Sequence, residues 1–230
     1  MKVIIAAAGT GGHINPGIAI ANKIKEENKN AEIIFIGTKR GLENDLVPRA
    51  GYKLKTIEAY GIVRKISINN FKNAIKTLKS YKTAEKIVKE IKPDIIIGTG
   101  GYICGPVLSA GVKLKIPTVL HESNAFPGMA VKVLSKKADK ILVGFEDAKK
   151  RLPKAKKVIV TGTPTKIRKK ELTKEQKQEI LKEFDIREDL PIVIIFGGSQ
   201  GAESINKCLT EMINEKSNKK YQIIWACRKK

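Results

Sequence analysis

Aromatic residues are scarce, with one Trp, five Tyr and six Phe making up 5% of 230 residues. That leaves few stacking groups, and no recognised nucleic-acid motif is present, so no nucleic-acid partner is expected in spite of the basic charge. Cysteine is nearly absent. Cys104, Cys208 and Cys227 are odd in number and far apart, which excludes a disulfide framework and any metal-ligand spacing. A reduced, cytoplasmic protein without a bound metal is expected. Long apolar runs are missing too, and none approaches the roughly 20 residues that span a bilayer. Residues 1–9 superficially look like a signal peptide, but the apolar run is short and glycines and a histidine follow at once, as after a buried first strand. No G-x-x-x-x-G-K-[ST] occurs, which excludes a P-loop kinase or NTPase.

Acidic residues are outnumbered, 23 against 45 Lys and Arg, for a formal net charge of +22. Such a balance favours phosphate-bearing substrates or an anionic surface. A large share is compositional, since abundant Lys, Ile and Asn fit an AT-rich genome. The 42% hydrophobic content suffices for a real core.

Apolar runs alternate with helical stretches. Residues 3–7, 32–36, 94–98, 118–121, 140–143 and 158–160 read as strands, and residues 16–27 and 69–91 as helices. That pattern predicts an α/β fold with a parallel sheet covered on both faces. A second unit begins near Gly162-Thr163-Pro164, giving domains 1–163 and 164–230. In it, residues 173–184 read as a helix capped by Thr173, residues 192–196 and 221–226 as strands, with a helix between them reaching about residue 215. So few residues do not close a doubly wound domain, and a C-terminally truncated product is expected.

One device recurs. An apolar strand runs into glycines and then a helix at Gly9-Thr10-Gly11-Gly12-His13, at Gly98-Thr99-Gly100-Gly101-Tyr102 before Gly105-Pro106, and at Gly197-Gly198-Ser199-Gln200-Gly201-Ala202. Glycine lets a ligand approach the main chain, and the following helix start offers unpaired N–H groups suited to phosphate. One such turn is mere turn chemistry, whereas three are harder to dismiss and suit a phosphate-bearing ligand at the carboxyl ends of strands. Read from the residues alone, His13 is a helix cap or a functional imidazole, and His121 a satisfied buried imidazole or a site residue.

At these turns the sequence resembles the MurG family. The markers are Gly-Thr-Gly-Gly-His at 9–13, Gly-Gly-Tyr at 100–102 with Gly105-Pro106, His121-Glu122-Ser123-Asn124, Gly162-Thr163-Pro164 and Gly197-Gly198-Ser199-Gln200-Gly201-Ala202. The resemblance covers essentially the whole chain. It implies the GT-B architecture of two Rossmann-like domains, the second incomplete here, and inverting transfer of N-acetylglucosamine from UDP-GlcNAc to lipid I, giving lipid II for peptidoglycan. It implies no cofactor beyond that substrate. By the same resemblance, Thr10, Gly11 and Gly12 contact the donor or the reacting diphosphates, Asn124, Lys166, Ser199 and Gln200 contact the donor, and His13 is the general base or a positioning group. Gly100, Gly101, Tyr102, His121 and Glu122 line the acceptor-diphosphate pocket, and Asn206 matches a family asparagine. Two positions depart from the family pattern. Lys166 stands where an arginine is usual and lacks its bidentate fork, and Val131 stands where Asn is common.

Ile68, Phe71, Ile75 and Leu78 fall at helical spacing among Lys65, Lys72, Lys76, Lys79 and Lys82. An apolar stripe rimmed by lysine suits either a helix packed on the sheet or an anionic membrane surface. With lipid I as the implied acceptor, the second reading places the protein peripherally on the cytoplasmic face of the cell membrane. The alternatives are another GT-B sugar-nucleotide enzyme, such as a glycolipid transferase or a UDP-GlcNAc epimerase, and a non-catalytic basic lipid- or nucleic-acid-binding remnant.

Overall fold

Strand and helix alternate through the chain as its apolar runs require. The computed structural model describes residues 1–59, 68–167, 171–198, 201–215 and 220–227, with residues 68–78 described as backbone. The chain forms two compact units, Met1–Ile167 and Arg168–Lys230.

The first unit runs β1 (Lys2–Ala7), α1 (Gly11–Glu27), β2 (Glu32–Gly37), α2 (Glu43–Arg49), β3 (Lys53–Thr56), α3 (Ile68–Ile91) and β4 (Ile95–Gly100). It continues with α4 (Cys104–Lys113), β5 (Thr118–Glu122), α5 (Met129–Leu134), β6 (Lys140–Val143), α6 (Glu146–Lys150) and β7 (Val158–Val160). The seven strands form one parallel sheet in the order β3-β2-β1-β4-β5-β6-β7. The chain therefore builds outward from β1 in one direction and from β4 in the other. Side by side, β1 and β4 mark the switch point, at whose carboxyl ends open α/β sheets bind their ligands.

Both sheet faces are covered, which is why the central strands read as unbroken apolar runs. Alternate residues of β1 serve opposite cores. Ile4 and Ala6 join Ile34, Ile96 and Leu120 beneath Val88 of α3 and Val107 and Leu108 of α4. Val3, Ile5 and Ala7 join Phe35 and Ile97 beneath Ile14 and Ile18 of α1 and Val47 of α2. Helix α1 lies hard against the sheet, since a Cβ on Gly17 would stand 3.0 Å from Thr99 Oγ1 and 3.2 Å from Ile5 and Phe35.

Helix α1 begins at Gly11, well before the Pro16 at which the sequence reading starts it. Pro16 is tolerated early in a helix, and the eye takes it for the opening residue. The opening is instead set by Thr10, whose extended backbone (φ −110°, ψ 161°) places it as the residue that caps the helix. Its carbonyl accepts from the N–H groups of His13 at 3.0 Å and Ile14 at 3.2 Å. Gly11, Gly12 and His13 are thus the first three helical residues. Helices α2, α5 and α6 escape the sequence reading because each is seven residues or fewer, and strand β3 escapes it for want of an apolar run. β3, with the sequence Lys-Leu-Lys-Thr, is also a charged edge strand, which suits an edge and hides the apolar signal.

The second unit contains α7 (Lys174–Glu183), β8 (Ile192–Phe196), α8 (Glu203–Asn214) and β9 (Gln222–Ala226), with β8 and β9 parallel. Thr173 caps α7 through a reciprocal capping box with Gln176, as its position before the helix suggests. Trp225 Nε1 donates to Asn206 Oδ1 at 3.2 Å, tying β9 to α8. β8 keeps Ile194 and Phe196 62% and 69% exposed. Among the described residues, no helix is long and apolar enough to cross a membrane, and no cluster of His, Cys, Asp and Glu is arranged to hold a metal.

Candidate functional site

The first two glycine turns, 89 residues apart at Gly11 and Gly100 (100 − 11) in the sequence, meet at the β1–β4 switch point. Gly100 and Gly101 adopt φ of +135° and +82°, conformations that glycine alone takes readily. A Cβ on Gly100 would overlap the His13 ring, and one on Gly101 would stand 2.5 Å from the Ala8 carbonyl oxygen. The turns interlock backbone to ring and backbone to backbone, and no side chain fits between them. Thr99 Oγ1 donates to the His13 carbonyl at 2.8 Å, joining the first turn of α1 to β4.

His13 is half-buried, and its Nδ1 lies 3.0 Å from the Ala8 carbonyl oxygen. That oxygen can only accept, so in the neutral ring the proton sits on Nδ1 and Nε2 carries the lone pair. Gly11 and Gly12, in the first turn of α1, have no carbonyl one turn earlier to receive their N–H groups. The arrangement therefore offers main-chain donors and a proton acceptor side by side. Tyr102, 41% exposed, follows the second turn. Beneath that turn Cys104 is buried, its Sγ 3.3 Å from the Gly100 carbonyl and 3.4 Å from that of Ala6. Burial pushes its thiol up to about 12, so it is an inert packing group.

The end of β5 is built differently from what the resemblance implies. His121 is fully buried, with Nε2 3.3 Å from the Gly162 carbonyl and Nδ1 3.4 Å from Ser123 Oγ. Glu122 is buried as well. Its Oε1 accepts from the main-chain N–H and the Nδ2 of Asn124, both at 2.8 Å, and Oε2 accepts from Gly128 N–H at 2.9 Å. The expectation that His121 and Glu122 line a diphosphate pocket is corrected. One has no exposed surface, and the other is an acceptor whose oxygens are already engaged in shaping the loop. Asn124, exposed and held by Glu122, is the member of that motif facing solvent.

Lys166 is exposed on the segment after β7. In the second unit, Gly197, Gly198 and Gly201 flank the third turn, while Ser199 and Gln200 lie outside the described residues. The stripe Ile68, Phe71, Ile75 and Leu78 lies on α3, and its side chains are likewise outside them. A site residue the sequence reading missed is Glu43, fully buried at the start of α2. Its Oε2 accepts from Gly9 N–H at 2.9 Å, and its Oε1 from Thr38 N–H at 2.8 Å and Thr38 Oγ1 at 2.7 Å. The signal for it was slight: glycines at 37 and 41, where a Cβ would collide with the Glu43 side chain.

Residues 3–143 match the glycosyltransferase family 28 N-terminal domain. The UDP-N-acetylglucosamine–N-acetylmuramyl-(pentapeptide) pyrophosphoryl-undecaprenol N-acetylglucosamine transferase of Thermoanaerobacter sp. (strain X514) is 47% identical over 224 residues, covering 97% of this chain and 60% of the relative. The transferase of the same name from Alkaliphilus oremlandii is 44% identical over 230 residues, covering 100% and 62%. The chain thus spans about three fifths of the length of these relatives. Among solved structures, Acinetobacter baumannii MurG superposes with a TM-score of 0.71 at 27% identity, over 100% of this chain and 61% of that one. A UDP-GlcNAc 2-epimerase from Neisseria meningitidis gives 0.61 at 15% identity, over 100% and 66%, and shares the fold. The resemblance carried by the glycine motifs extends along the whole chain, and the α/β fold is of the GT-B glycosyltransferase type.

His121 supplies a pH test of the β5 end. Burial, opposed by the Gly162 carbonyl and the Glu122 charge, holds its pKa below the ordinary 6.5. The unfolded chain then binds this proton more readily than the folded one. The stability it contributes is full above about 6.5 and is lost as pH falls through the lowered folded value. The melting temperature is expected to fall from pH 7 towards about 5, and His121→Gln should flatten that slope. Carboxylates held low by their donors, such as Glu85 at about 2 through Lys113 and Lys89, act only in stronger acid. An unchanged slope in His121→Gln, followed by circular dichroism, would contradict the assignment.

Proposed function

The chain belongs to the glycosyltransferase family 28 N-terminal domain family, and on that footing we propose that it is the acceptor-binding part of a lipid I N-acetylglucosaminyltransferase. In the whole protein, N-acetylglucosamine passes from UDP-GlcNAc to the hydroxyl of lipid I, giving lipid II. The observation that carries this reading is the interlock of the two glycine turns, with the His13 ring seated on Gly100. The epimerase alternative has only likeness of fold at 15% identity behind it, against 44–47% for the transferases.

In the proposed reaction the acceptor's diphosphate lies against the main-chain donors of Gly11 and Gly12 and of Gly101 and Tyr102, while Gly100, whose N–H donates to Cys104 Sγ at 3.4 Å, shapes the turn. The acceptor hydroxyl attacks the anomeric carbon of the donor sugar from the face opposite the leaving UDP, so configuration inverts. As the new C–O bond forms and the C–O bond to UDP breaks, the hydroxyl proton passes to His13 Nε2. UDP leaves carrying the electron pair. Main-chain N–H groups that hold the acceptor's diphosphate are already oriented by the fold and need no rearrangement to bind it. Thr10 and Asn124 contact the donor in this reading, with Lys166, Ser199 and Gln200 as its further partners. We assign the protein to the cytoplasmic face of the membrane, supported by its net charge of +22 and by the lysine-rimmed stripe of α3.

Two measurements check these assignments. In a version of the chain extended to the relatives' full length, His13→Ala is expected to lower transfer of labelled N-acetylglucosamine to a lipid I analogue by about 10²–10⁴-fold, with folding retained. Near-normal turnover would end the general-base role. The 230-residue chain is expected to co-sediment with anionic vesicles, and an Ile68→Ser/Phe71→Ser double variant to do so less. Equal binding by both would remove the membrane role of the stripe.

A further inference from the structure

We propose that Glu43 is a positioning residue for His13, acting through the single peptide plane between Ala8 and Gly9. The inference rests on His13 being the proton acceptor of the proposed reaction. The N–H of that plane, on Gly9, donates to Glu43 Oε2 at 2.9 Å, and its C=O, on Ala8, faces His13 Nδ1 at 3.0 Å. The chain has no cis peptide among the described residues, and in a trans peptide the N–H and C=O point in opposite directions. Fixing the N–H on Glu43 therefore aims the carbonyl at His13. That carbonyl in turn selects the Nδ1–H tautomer and leaves Nε2 unprotonated.

The surroundings of Glu43 are built to hold it there. Its other oxygen receives both Thr38 N–H and Thr38 Oγ1, so the carboxyl group is fixed from the β2 side. Gly37 and Gly41 leave the space its side chain fills. The Gly9 carbonyl receives Leu42 N–H at 3.2 Å, so the loop before α2 grips Gly9 on both of its polar groups. Gly9 itself, at φ +97°, is in a conformation with little intrinsic preference for which way its peptide faces. An external acceptor is what sets the direction.

Glu43→Gln separates this role from general packing. The amide keeps its oxygen where two donors converge, at Thr38, and so turns its NH₂ towards Gly9 N–H, donor against donor. The tautomer of His13 is read from the ring ¹⁵N shifts of the 230-residue chain in neutral solution. There are only two histidines, and His13→Ala identifies the signals. Wild type is expected to show the Nδ1–H form. Glu43→Gln, still melting cooperatively, is expected to lower the ratio of Nδ1–H to Nε2–H by about fivefold, the worth of one ordinary hydrogen bond. Should Glu43→Gln fail to fold, Glu43→Asp, which withdraws the carboxylate by one methylene, gives the same readout. A folded variant with the wild-type tautomer ratio, or a wild type already in the Nε2–H form, overturns the proposal. The readout needs no substrate, so its failure is distinct from His13→Ala retaining turnover, which would overturn the transfer reading instead.

Discussion

The contact on which the first unit's site depends is the one between two stretches of chain that have no side chains to keep them apart. At the β1–β4 switch point, the turn after β4 presses Gly100 against the His13 ring and Gly101 against the Ala8 carbonyl. A methyl group at either glycine would force the turns open. The parallel sheet brings these ends together because β1 and β4 are neighbours in space, although β2 and β3 separate them in sequence. Close approach then does two things at once. It seats an imidazole in a defined orientation, and it sets main-chain N–H groups beside that ring, those of Gly12 and Tyr102 on exposed residues. Donors of that kind suit a diphosphate, whose oxygens accept from every side and whose charge a helix start favours.

Much of this was legible in the sequence, for a physical reason. Central strands of a parallel sheet are buried on both faces, so β1, β2 and β4 appear as apolar runs that need no alternation to be recognised. The glycine turns were legible because glycine is used where backbone must approach backbone. Less legible were features whose cause lies at a distance. The start of α1 depends on Thr10 capping it, not on Pro16, which is the louder local signal. α2, α5 and α6 are too short to show a period. Glu43 carries little local signal, and only the fold delivers Thr38 and Gly9 to its two oxygens. His121 and Glu122 show the converse. Their motif is plain in the sequence, yet one is buried against Gly162 and the other is engaged in holding Asn124 and Gly128. Polar residues in a recognisable motif can serve by shaping the loop that carries a ligand contact.

The charge of the chain acts at a different level. Most of the ion pairs among the described residues are exposed, as with Lys23 to Glu27 at 2.7 Å and Lys150 to Asp147 at 3.6 Å, and water screens pairs of this kind so that they add little to stability. The excess of cations is therefore a field that attracts anionic ligands and surfaces, not a source of folding energy. The second unit, taken by itself, repeats the strand–glycine–helix device after β8, with Trp225 and Asn206 joining β9 to α8.

The most direct test is to locate a diphosphate on the protein. Crystals of this chain grown with a soluble, short-chain lipid I analogue should show both phosphates within hydrogen-bond reach of the main-chain N–H groups at 11–12 and 101–102, with His13 Nε2 facing the sugar. Phosphates bound at saturation elsewhere on the chain, with those N–H groups still facing water, would contradict it.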